Sequence, residues 1–344
     1  DAGFDTVTAT DNSGGVTLIL DSGTDTIVNL GSGADTVSTD ATQAAANTLA
    51  VDAGDGIDTL IVTDDADLNI ASEGARYTNF ETLRYVEGGT AANINLALIS
   101  GITALESGVN TSASFTSATA VQAANVTVFG DQTTDLSISL LNSAGTADSV
   151  TFNLASATAT ANIDGVFGVD NFETVNFVAT TGTNTSGANA VSFLANGADE
   201  VTAINISGTA DFDLTVASNT LDVVAVAIDA SSMTGTADLV LVQASDLVKG
   251  STVTGTLNGD TIALGTTLGS TFNGGAGNDG FTTALATLVA DGVDDTVLNG
   301  GAGTDTLTIS DNGTILTDNH FTFVSGMEKL TYSDGGLISL TTGA

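Results

Sequence analysis

Apolar and polar positions alternate over short stretches along most of the chain. Val16-Thr-Leu-Ile-Leu20, Ile94-Asn-Leu-Ala-Leu98, Leu136-Ser-Ile-Ser-Leu140, Val150-Thr-Phe-Asn-Leu154 and Val201-Thr-Ala-Ile-Asn-Ile206 set aliphatic or aromatic residues against Thr, Ser, Asn or Ala. That period of two belongs to half-buried strands. Gly, Asn and Asp punctuate these runs and Pro is absent, which predicts an all-β chain. Helix is expected at two places only: the Ala-rich stretch Thr42 to Asn47, and Phe281 to Ala290, where Phe281, Leu285, Leu288 and Val289 share one helical face. The longest apolar runs, such as Val223 to Ile228, fall far short of the roughly 20 residues of a spanning helix, so no membrane-spanning segment is predicted.

The strands carry repeats. A unit Gly-x-Asp-Thr followed by an aliphatic residue ends at Val7, Ile27, Val37, Leu60 and Leu307, around Asp5, Asp25, Asp35, Asp58 and Asp305. Shorter relatives surround Asp260 and Asp295. A second unit centres on glutamate: Asn79-Phe-Glu81-Thr-Leu83, Asn171-Phe-Glu173-Thr-Val175 and Gly326-Met-Glu328-Lys-Leu330. Because Phe80, Phe172 and Met327 adjoin these glutamates, the unit reads as a structural corner. Asp58 precedes Glu81 by 23 residues, Asp305 precedes Glu328 by 23, and Asp148 precedes Glu173 by 25. Repetition on this scale predicts a solenoid whose units bury their apolar faces on one another.

Charge sharpens the picture. The net charge is −37, with 41 acids against 4 Lys and Arg, and such a field repels phosphate backbones, which excludes nucleic acid as a partner. All but seven of the acids are Asp, the carboxylate suited to tight turns and hard cations. Without Cys there is neither disulfide nor thiolate chemistry, and calcium is the expected staple of an extracellular protein so built. A hydrophobic content of 42% nonetheless predicts a folded chain.

Two stretches match G-G-x-G-x-D-x-U-x throughout: Gly274-Gly275-Ala-Gly277-Asn-Asp279-Gly-Phe-Thr282 and Gly300-Gly301-Ala-Gly303-Thr-Asp305-Thr-Leu-Thr308. They resemble the calcium-binding repeats-in-toxin proteins. Small residues let the turn curl so that carbonyls converge, Asp adds a carboxylate, and U points into the core. The resemblance implies Ca2+ held at these glycines and at Asp279 and Asp305, and extends by partial matches to Asp260, Asp295, Asp5, Asp25, Asp35 and Asp58. It also implies a coil of about 18 residues, two motifs long. Asp260 to Asp279 (19) and Asp5 to Asp25 (20) fit one coil, and Asp25 to Asp35 (10) fits half of one. Asp35 to Asp58 (23) and Asp279 to Asp305 (26) do not, so insertions are expected to interrupt the stacking there. The implied fold is a parallel β-helix or β-roll solenoid with short calcium-bound turns among diverged β modules. Three regions follow: calcium-binding turns over 1–60, diverged solenoid modules over 61–250, and a β-roll with closing strands over 251–344.

The absence of Cys and Pro, the abundance of Thr, Ser, Ala, Gly and Asn, and the stretches Ile228 to Gly235 and Gly250 to Ile262 are similar to the secreted surface-layer branch of bacterial repeats-in-toxin proteins. That branch implies type I secretion, a place on the extracellular cell surface, calcium-dependent assembly into a homo-oligomeric lattice or filament, and anchoring to a surface glycan through another region. No enzyme is expected. H-E-x-x-H and G-x-S-x-G are absent, His320 reads as a loop-edge histidine, and Arg76 and Arg84 read as a local ion-pair cluster with Glu73, Glu81 and Glu87. Alternative readings are the repeat region of a large secreted adhesin, or the calcium-dependent folding appendage of a secreted hydrolase.

Overall fold

The computed structural model describes residues 6–20, 27–39, 49–63, 68, 70–86, 92–107, 112–130, 132–142, 144–155, 163, 165–181, 189–195, 201–216, 224–243, 247–265, 268–311, 315–332 and 339–341. Short alternating runs become strands, and the strands stack in parallel, coil upon coil. One 14-stranded sheet runs from Thr17–Ile19 to Val324–Ser325, and an 11-stranded sheet runs from Ala92–Asn95 to Lys329–Tyr332. A four-stranded sheet joins Thr6–Thr8, Ile27–Asn29, Ala50–Asp52 and Tyr77–Thr78, and Ile315–Thr317 pairs with Ser339–Thr341. The chain is an all-β parallel solenoid, as its periodicity predicts.

In-register stacking turns each inward position into a column. Leu105, Val126, Phe152 and Phe177 lie one above another, and all are excluded from solvent. Phe152 stacks on Phe177 with ring centroids 5.5 Å apart, while Phe167 and Phe212 approach Phe177 at 5.9 and 5.2 Å. Burying each such ring contributes roughly 1.5–3 kcal/mol. Outward columns are polar and bond along the stack: the Asn205 amide donates to Asn176 Oδ1 at 2.9 Å.

Three expectations change. Phe281 to Ala290 is not one helix, for Gly280–Thr283 is a strand and only Leu285–Leu288 forms a 3-10 turn; Phe281 is pulled into sheet register with Ile262 and Leu307. Likewise Ile94 to Leu98 divides into a strand ending at Asn95 and a 3-10 turn over Leu96–Leu98, capped by Asn95 Oδ1 accepting the Ala97 N–H. Thr42 to Asn47 lies outside the described residues. The third correction concerns stacking. The long Asp35–Asp58 and Asp279–Asp305 intervals interrupt nothing, because the strands after each pair remain adjacent. In the second interval the extra length lies away from the two large sheets, in Leu285–Leu288 and the turn around Asp291. The 14-stranded sheet also runs without a break across residues 60 and 250.

Candidate metal centre

The turn before a strand brings one acid to the same height in each successive coil. There it meets the backbone of the coil before. Asp35 Oδ1 accepts the Val16 N–H at 2.6 Å, Asp58 Oδ1 accepts the Asp35 N–H at 2.6 Å, and Glu81 Oε2 accepts the Asp58 N–H at 2.9 Å. A second ladder begins when Asp260 Oδ1 accepts the Leu239 N–H at 2.8 Å. It continues as Asp279 accepts from Asp260 at 2.8 Å, Asp305 from Asp279 at 2.7 Å, and Glu328 from Asp305 at 2.8 Å. Between them Glu173 accepts the Asp148 N–H at 2.7 Å.

Every one of these ladders ends in glutamate. Two residues before each stands a left-handed backbone, at Asn79 (φ 61°), Asn171 (φ 69°) and Gly326 (φ 63°), positions where Asn and Gly are tolerated best. The Asn-Phe-Glu and Gly-Met-Glu units are thus ladder ends, in keeping with a corner role. Their longer arm carries the carboxylate back to the preceding coil while the glutamate's own N–H bonds the carbonyl of Asp58, Asp148 or Asp305.

One carboxylate oxygen per rung is spoken for; the other often is not. Asp35, Asp58, Asp279 and Asp305 are at most 1% exposed, and the Oδ2 of each is buried without a hydrogen-bond partner. A buried, unpaired anionic oxygen costs several kcal/mol unless something cationic meets it. Neighbouring glycines leave the room. A Cβ at Gly274 would collide with Asp279 Oδ2 and the Gly300 carbonyl, and one at Gly300 with Asp305 Oδ2 and the Gly326 carbonyl. Carbonyl and carboxylate oxygens therefore converge where side chains are excluded, a donor set that fits a hard cation. Gly275 (φ 113°), Gly277 (φ 113°), Gly301 (φ 104°) and Gly303 (φ 150°) supply the turn conformations that L side chains resist.

The ladder is electrostatically strained. Burial pushes the Asp279 carboxyl up to about 6, the Asp260 N–H opposes this, and the charges of Asp260 and Asp305 add to the rise. Burial also raises Asp58, with Asp35 and Glu81 contributing charge. Sequence analysis did not find the trio Asp211, Asp213 and Asp238. Burial raises Asp213 and Asp238, and the charge of Asp211 pushes both the same way. Asp-x-Asp spacing in 211–213 was visible, but its pairing with residue 238 depends on coil length.

Other predicted positions diverge. Asp260 has both oxygens engaged, by Leu239 N–H, Thr256 N–H and Thr256 Oγ1. Asp295 lies outside the ladders, its Oδ1 accepting the N–H groups of Asp291 and Gly292. Asp5 and Asp25 lie outside the described residues. Among those described, no three acidic, His or Cys side chains converge on one point, so backbone carbonyls must supply most ligands of any ion. Arg84 Nε meets Glu106 Oε2 at 2.5 Å while its guanidinium covers Phe129, and Glu73 Oε2 accepts the Ile70 N–H; Glu87 lies outside the described residues. His320 Nδ1 lies 3.0 Å from the Thr317 amide nitrogen, inside a 3-10 turn. Among the described residues no helix is long and apolar enough to cross a membrane. Comparison with protein-family models, curated proteins and solved structures returns no match.

Proposed function

We propose that this protein is a calcium-ordered, self-assembling structural component of a bacterial cell surface, a secreted surface-layer protein without catalytic activity. The observation that carries the reading is the set of four buried Asp Oδ2 atoms lacking partners beside glycine-lined carbonyl oxygens. Asp35, Asp58, Asp279 and Asp305 would hold Ca2+ together with carbonyls of the Gly-rich turns, and the ion would supply the positive charge that the ladders lack. Ion binding is available only to the assembled turns, so it adds directly to folding stability. Each ion also cancels two of the 37 net negative charges, lowering the repulsion between copies.

The test is calcium titration of the metal-stripped chain, followed by circular dichroism, calorimetry and electron microscopy. Half-maximal ordering is expected between about 0.1 and 1 mM, the range of extracellular calcium modules, with sheets or filaments at higher calcium. Unchanged melting after metal removal overturns the calcium reading. A protein that folds with calcium yet stays monomeric at high concentration overturns the assembly reading.

A further inference from the structure

The middle of the solenoid is built differently from the coils that carry the ladders. Between residues 113 and 216 the strands are long: Ser149–Ala155, Thr174–Thr181, Asn189–Ala195 and Ala203–Gly208 run for seven, eight, seven and six residues. Each further residue adds to the backbone bonding between coils. Inside them Phe152, Phe167, Phe193 and Phe212 surround Phe177 at ring-centroid distances of 5.2 to 6.4 Å, and all of these rings are excluded from solvent. Acids occur here too, but among the described residues from 92 to 230 none is buried: Asp148, Asp170, Glu173 and Asp213 keep part of their surface in water. This block closes its core around no anion.

The ladder coils reverse each of these features. Around Asp35 and Asp58 the strands Ile27–Asn29, Thr36–Ser38 and Ala50–Asp52 are three residues long. No aromatic residue occurs between Phe4 and Tyr77, and the core there includes Val28, Val37, Val51 and Leu60. Before Asp279 the strands Thr252–Thr254 and Thr261–Ala263 are again three residues long, with Phe272 and Phe281 the aromatic residues between 250 and 310. These coils hold the four buried Asp Oδ2 atoms without partners. Short strands and small side chains offset less of the entropy lost on ordering, and buried unpaired charge opposes ordering further.

The two ladders are also separate from each other. Asp35 and Asp58 stand before strands of the 14-stranded sheet, Asp279 and Asp305 before strands of the 11-stranded one. In the later coils hydroxyls serve the corner that precedes the 14-stranded sheet: Ser251 Oγ accepts the Val226 N–H at 3.0 Å, and Thr296 Oγ1 accepts the Gly269 N–H at 3.1 Å. A hydroxyl caps the neighbouring coil without adding charge.

We propose that calcium orders this protein in blocks: the coils of residues 113–216 fold without metal, and each ladder then orders on that block, independently of the other. The inference rests on the calcium reading and adds an order of events to it. Coils of both ladders continue the 14-stranded sheet of the middle block, so rising calcium extends an existing stack instead of nucleating a new one.

Hydrogen exchange of the full chain, read by mass spectrometry near neutral pH, tests this. In chelator, peptides covering Thr174–Thr181 and Phe212–Val216 should stay protected. Those covering Thr36–Ser38, Thr59–Val62, Thr261–Ala263 and Thr306–Ile309 should exchange, and calcium up to about 1 mM should restore their protection. Asp305→Asn is expected to raise the calcium needed to protect Thr306–Ile309 several-fold without moving that for Thr59–Val62, and Asp58→Asn to do the reverse. Loss of protection along the whole chain in chelator, recovered with calcium, overturns the metal-independent middle and leaves the calcium reading standing. A variant that shifts both ladders alike overturns their independence. Exchange that calcium alters nowhere overturns the calcium reading and this inference together.

Discussion

Asp279 offers the sharpest test, because its charge should harm the metal-free protein and help the calcium-bound one. Its carboxyl is pushed up to about 6 from an ordinary 3.8. The folded state thus holds the proton more tightly than the unfolded state. Its stabilising contribution is complete below about pH 4, declines as pH rises, and is lost above about pH 6. The gap of roughly two pH units corresponds to about 3 kcal/mol between the protonated and ionised limits. Asp58 and Asp260 are shifted in the same direction, by burial first. Metal-stripped protein should therefore melt higher at pH 5 than at pH 7.5. A cation on Asp279 favours the ionised form and should flatten or invert that slope. Asp279→Asn keeps the acceptor for the Asp260 N–H and removes the charge. At pH 7.5 it should raise the metal-free melting temperature by roughly 5 °C, taking about 2 °C per kcal/mol for a long chain, yet weaken the calcium response several-fold. Asp170→Asn, at the end of the strand Val166–Asp170, alters net charge equally and should do neither. Calorimetry from pH 5 to 7.5, with and without calcium, reads all of this. If Asp279→Asn destabilises the metal-free protein, or if Asp170→Asn reproduces its effects, the ladder is not the source of the calcium dependence.

Further outcomes concern the glycines, the glutamates and the core. Gly274→Ala puts a methyl where Asp279 Oδ2 and the Gly300 carbonyl lie, so calcium affinity by isothermal titration should fall at least tenfold; near-native affinity would show that this space is not the ion's. Glu81→Ala strips the Asp58 N–H of its acceptor and should lower stability by about 1–3 kcal/mol in urea titration, with Glu81→Gln restoring most of it; equal loss in both would assign the effect to charge. Phe177→Ala removes the ring shared by Phe152, Phe167 and Phe212 and should cost about 3–5 kcal/mol without changing calcium affinity at Gly274.

How far the sequence carried depends on which interactions are local. Period-two alternation decides which face of a strand is buried, and the stretches around Leu136, Val150 and Val201 all form strands. Phe281 shows where alternation and helical spacing compete. Its i+4 and i+7 partners are real neighbours in sequence, but columns above and below it, Ile262 and Leu307, lie 19 and 26 residues away. No local pattern reports a column. Coil length hides the rest for the same reason. A solenoid needs each coil to return to the same height at the sheet, not to spend the same number of residues doing so. The ladders consequently tolerate offsets of 19, 23 and 26 residues, provided the surplus leaves the two large sheets. Once a carboxylate bonds the N–H one coil back, the acid fixes the register and spacing becomes a consequence. The glutamate units were visible as motifs, but their role required the partner N–H groups of Asp58, Asp148 and Asp305 to be seen. A longer side chain is the physical reason: glutamate reaches the previous coil while its own N–H, no longer offered to a following carboxylate, turns back to a carbonyl. That substitution ends the run of buried anions without ending the sheet. It explains why plain β coils can follow Glu81 and Glu173 in one continuous stack.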